Sequence, residues 1–144
     1  MICKYLITRK VNCTKFADAL KLVLKEEQNV GTYTSTSGIW EVEVYELEGN
    51  LPHVHVTTAD GKISAPRLDI ANYFIHGNKR YIMSSKERKD FDNFMNEKNK
   101  AFPEYTNWEF CAYEWNKNSN HKIKVGKEKP NYRLLPSPPA NIKR

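Results

Sequence analysis

Two histidines separated by one valine, His53-Val54-His55, are the residues of this chain whose type and spacing could do chemistry. On an extended backbone, residues two apart share a face, so both imidazoles project together about 6.6 Å apart along the strand. Such a pair can hold a divalent metal, bind phosphate when charged, or sit in a hydrogen-bonded network. Two ligands are not a metal site. The candidates for a third are Asp69, His76, Cys111 and His121, none at a diagnostic spacing.

The alternation continues through Val56, which together with Val54 is expected to face the core while the histidines face the opposite, exposed side. Histidine-triad hydrolases need a third histidine where this chain has Thr57, and cupins need a glutamate soon after the pair, which is missing. The stretch Gly49 to Val56 resembles the metal-binding strand of rolling-circle replication initiators and related single-strand endonucleases. That resemblance implies a metal on His53 and His55 polarising a scissile phosphate, and a tyrosine that attacks it. The helix from Ser84 has no tyrosine, so Tyr113, with Lys117 one turn on, is the only helical substitute. Its alternative reading is an amphipathic aromatic beside the Trp108/Trp115 stripe.

A broader resemblance runs from Tyr45 to Asn120. The acidic turn and Pro-His-hydrophobic-His strand at Glu48 to Val56, the segment Ala65 to Asn72 and Glu114-Trp115-Asn116 are similar to the domain of unknown function 4160 family. These are short bacterial proteins, some encoded near toxin–antitoxin genes. The likeness departs between Gly77 and Ser85, and it implies a fold rather than an activity.

The elements that must position these residues follow from periodicity and punctuation. Met1 to Lys10 reads as a strand, Thr14 to Gln28 as a helix on Phe16, Leu20, Val23 and Leu24, and Gly31 to Gly38 as a loop. Ile39 to Leu47 alternates as a strand with one wet face, and His53 to Thr58 is the next strand. Asp60-Gly61 signals a hairpin into a strand from Ile63, which Pro66 places at a sheet edge. Ser84-Ser85-Lys86-Glu87 and Thr106-Asn107-Trp108-Glu109 are capping boxes that open two helices. The expected fold is α+β, an antiparallel meander covered on one face by helices in the order β-α-β-β-β-α-α.

The chain has 144 residues, 40% hydrophobic and 28% charged, which suits one globular domain with a proper core. We expect that domain over residues 1–120 and an extended, mobile tail over 121–144. The tail holds seven bases (Lys122, Lys124, Lys127, Lys129, Arg133, Lys143 and Arg144) against one acid, so the whole formal charge of +6 lies there and residues 1–120 balance. It is the expected nucleic-acid contact, with Pro136 to Pro139 offering a polyproline segment to a protein partner.

Three cysteines, Cys3, Cys13 and Cys111, form neither a disulfide framework nor a zinc ribbon, which suits reduced thiols in a cytoplasm. Lys4, Arg9 and Lys10 interrupt any secretory signal, and no run is long enough to span a membrane. No glycine-rich phosphate loop, Ser-His-Asp ordering or magnesium-binding acidic cluster is present. The leading expectation is a non-catalytic binding module from a mobile-element or toxin–antitoxin setting, using the His53/His55 face and the basic tail. A metal-dependent endonuclease using Tyr113 and a protein-binding inhibitor or antitoxin are the alternatives.

Overall fold

The computed structural model describes residues 27–45, 51–74, 81–118 and 120–138. The expected first strand and most of the first helix lie outside these residues. Four strands form one antiparallel sheet in sequential order: β1 (Glu27–Ser35), β2 (Gly38–Tyr45), β3 (His55–Thr58) and β4 (Ile63–Ser64). Two helices follow, α1 (Ser85–Asn96) and α2 (Asn107–Asn116), then a short 3-10 turn at Tyr132–Leu134. The fold is α+β, with helices packed on a meander.

Strand β1 corrects two expectations. Glu27 and Gln28 are strand rather than the end of a helix, and most of the stretch expected as a loop pairs with β2 through a register running from Glu27↔Tyr45 to Ser35↔Gly38. Its Gly, Ser and Thr content suggested a loop, yet Thr32, Thr34 and Tyr33 suit a half-buried pleated surface, with Tyr33 turned inward. A register shift between Asn29 and Gly31 marks a bulge, and there the ring of Phe94 comes close: a Cβ on Gly31 would lie 3.2 Å from it.

The expected hairpin forms, with Gly61 at φ 87° and its N–H donating to the Thr58 carbonyl at 3.0 Å. Strand β4 is an edge of the sheet, and Pro66 follows it in an isolated bridge to Tyr73. Both capping boxes are made, Ser84 with Glu87 on α1 and Thr106 with Glu109 on α2.

The core forms where Tyr33, Trp40, Val42, Val44, Val54 and Val56 of the sheet region meet Phe91, Phe94 and Met95 of α1 and Trp108, Cys111 and Trp115 of α2. Tyr33 sits between Trp40 and Phe94, with ring centroids 5.8 and 5.2 Å away. Asn99 fixes the connection between the helices, donating from Nδ2 to the Val30 carbonyl at 2.9 Å and accepting from the N–H groups of Ala101 and Phe102.

Residues 120–138, expected as an extended, mobile tail, pack onto the body and include the 3-10 turn at Tyr132–Leu134. Val125, Tyr132 and Leu135 belong to the hydrophobic core, and we refer to this segment as the strap. Lys129 Nζ donates to Asp92 Oδ1 at 2.6 Å, the Tyr132 N–H to the same oxygen at 3.0 Å, and the Tyr132 hydroxyl to the Arg67 carbonyl at 2.7 Å. Its apolar residues are too sparse to signal an element, but they join the core, with the Tyr132 ring 4.8 Å from that of Phe91 on α1. No helix among the described residues is long and apolar enough to cross a membrane.

Candidate functional site

The two strand histidines do emerge on one side. Val56 pairs with Val42 and His55 with Glu43, and the His53 and His55 ring centroids are 5.3 Å apart. That side is not a free surface, however: His53 is 1% and His55 5% exposed. Residues 65–74 cause the burial by doubling back, with the Arg67 N–H donating to the Asn72 carbonyl and the Phe74 N–H to the Ala65 carbonyl. This fold stacks Phe74 on His53 at 4.1 Å and 15°, while Trp115 lies 5.7 Å from the same imidazole. His53 Nδ1 is 2.7 Å from the Leu51 carbonyl oxygen, which locks the ring. The exposed histidine face expected from the alternation is therefore part of the interior.

The expected third ligands do not join the pair. Asp69 makes a two-pronged ion pair with Arg67, at 3.0 and 2.8 Å. Cys111 is a free thiol in the core, and burial pushes its pKa well above the ordinary range. His121, expected to be solvated, is 1% exposed and stacks on Trp115 at 3.4 Å. His76 lies outside the described residues. Among the described residues no three His, Cys, Asp or Glu side chains come together to hold a metal.

Tyr113 is 48% exposed, while Trp115, two positions on, is wholly buried against His53. Two residues on a helix are about 200° apart, so Tyr113 points away from the histidines. Among the described residues, Tyr113 and the histidine pair are not brought together. Tyr113 instead ends a ladder of four rings: Phe102 on Phe110 at 5.0 Å, Phe110 near Tyr105 at 6.4 Å, and Tyr105 on Tyr113 at 5.7 Å. Lys117 Nζ lies 5.6 Å from the Tyr113 ring and also pairs with Glu114 at 3.0 Å. Exposed Glu104 and Glu109 fall between members of this ladder in sequence. The sequence signal for it was Phe110, Tyr113 and Lys117 at helical spacing, opposite the tryptophan stripe.

The tail bases divide by role. Lys124 Nζ donates to the carbonyls of Asn116 and Asn118, closing the end of α2. Lys129 pairs with Asp92, and Arg133 reaches Asp92 at 3.5 Å and Asn93 at 3.0 Å. Lys122 and Lys127 are exposed, and Lys143 and Arg144 lie outside the described residues. Reading the sequence alone missed Asp92, the anion to which the strap is tied. It also missed Lys86 and Lys89, which line a groove of about 480 Å³ together with Ser85, Asp90 and Arg133.

No family model, curated protein or solved structure matches this chain.

Proposed function

We propose that the chain is a non-catalytic binding module that contacts the phosphate backbone of nucleic acid through the bases of its strap. The observation that carries this reading is that the strap is pinned to the body while Lys122 and Lys127 remain exposed and Arg133 half-exposed. Cations held in fixed positions lose less entropy on meeting a phosphate than cations on a loose tail. The balance of charge over residues 1–120, against an excess of +6 beyond them, supports the same surface. Contacts of this kind carry little sequence preference. The likeness to the domain of unknown function 4160 family and its toxin–antitoxin setting is compatible with this reading and adds no activity to it.

Fluorescence anisotropy of labelled single- and double-stranded oligonucleotides across a salt series tests it. Binding should weaken steeply with salt, and Lys122→Gln/Lys127→Gln should lower the log–log salt slope by about 1.5. Binding that ignores both salt and these substitutions refutes the reading.

The aromatic ladder favours a second reading, recognition of a partner protein, because rings such as Phe102 and Tyr113, each close to half exposed, are typical interface anchors. A complex isolated from the native host that survives high salt but is lost in Tyr113→Ala would support it over nucleic acid.

A further inference from the structure

We infer that the groove between the first turns of α1 and the strap is a phosphate-binding site, built from Lys86, Lys89 and Arg133. Lys86 and Lys89 are three residues apart on α1, so they share one side of the helix, and both are exposed. Arg133 comes from the 3-10 turn of the strap, almost fifty residues later in the chain, and the three side chains line one groove of about 480 Å³. The position of Arg133 is set rather than accidental. Its Nη2 donates to Asn93 Oδ1 at 3.0 Å and its Nε lies 3.5 Å from Asp92 Oδ2, with about half of the side chain still open to solvent.

The groove is lined by three cations and a single acid, Asp90, with the Ser85 hydroxyl as a further donor. Asp92 shares its single charge between Lys129 and Arg133 and also accepts the Tyr132 N–H, so it offsets only part of the remaining charge. A guest there must be a compact anion that accepts several hydrogen bonds at once, and a tetrahedral phosphate oxyanion meets that need. A planar carboxylate has fewer oxygens to share among three donors. The phosphate can be free or part of a nucleic-acid backbone. The backbone form rests on the proposed function, whereas the site itself does not.

Amide and guanidinium NMR shifts of the full chain test the proposal, with inorganic phosphate and a short oligothymidylate as separate probes and chloride held constant. Saturable shifts at Ser85, Lys86, Lys89 and Arg133, weakened about tenfold in Lys86→Gln/Lys89→Gln, are expected. Shifts with both probes establish a backbone site. Shifts with inorganic phosphate alone keep the site while showing that it takes no nucleic-acid backbone. No saturable shift with either probe, or equal affinity in the double variant, overturns the proposal. Both lysines are exposed and outside the core, so the variant keeps its fold, which its unchanged core methyl spectrum verifies.

Discussion

Lys129 Nζ and Asp92 Oδ1 are 2.6 Å apart across thirty-seven positions of sequence, and both side chains are largely withdrawn from solvent. Asp92 also receives the Tyr132 N–H and faces Arg133, so one carboxylate gathers the strap onto α1. Asp92→Ala leaves Lys129 without its counter-charge and should cost about 3–5 kcal/mol. Chemical denaturation measures the loss, and limited proteolysis should show new cleavage near Lys127 and Lys129. An unchanged midpoint would mean that the carboxylate is dispensable.

Removing residues 121–144 should not leave an intact body. Tyr132 is wholly buried and packs on Phe91 at 4.8 Å, and Val125 and Leu135 are lost with it. Tyr132→Ala alone should cost about 3–5 kcal/mol, and the truncated chain should lose its cooperative thermal transition. A truncated chain that melts like the full one would show the strap to be an accessory.

His53→Ala should destabilise by roughly 3 kcal/mol, because it empties a site between Phe74 and Trp115. A histidine serving only as a surface ligand would leave stability unchanged when removed. Urea midpoints at neutral pH separate the two.

Stability should fall on both sides of neutrality. Burial pushes the Glu87 carboxyl upward, but hydrogen bonds from the Ser37 hydroxyl, the Ser84 N–H and the Tyr81 hydroxyl together bring it below its ordinary value. A lowered folded value means stability present above the unfolded glutamate pKa of about 4.3 and lost as pH falls through the folded one. Glu87→Gln should flatten that acid limb.

On the alkaline side, burial raises Tyr73 to about 12 and holds Tyr33 and Tyr132 above the ordinary phenol value as well. Their contribution is complete below the unfolded pKa of about 10 and is lost as pH rises through the folded values, so for Tyr73 it fades from about 10 to 12. Denaturant midpoints against pH, read alongside phenolate absorbance, check both limbs. A midpoint constant up to pH 12 would contradict the burial of these rings.

Local rules carried much of the fold. Ser84 with Glu87, Thr106 with Glu109 and Gly61 in its hairpin are decided by neighbours within three or four residues, so they can be read from the chain itself. The strand at Glu27–Ser35 was missed because Glu27 and Gln28 read as the end of a helix and the stretch from Gly31 has the composition of a loop. What makes it a strand is pairing with β2 and the inward turn of Tyr33, which composition does not encode.

The common side of His53 and His55 follows from the two-residue period of extended backbone, so sequence alone determined it. Whether that side meets water was decided by Phe74 and Trp115, which only the tertiary fold brings there. In the same way the sequence located the basic residues, but Asp92 and the core decided which remain available and which are spent on structure. The physical reason is range: dihedral preference and side-chain period act between near neighbours, whereas burial and ion pairing depend on what long-range packing sets alongside.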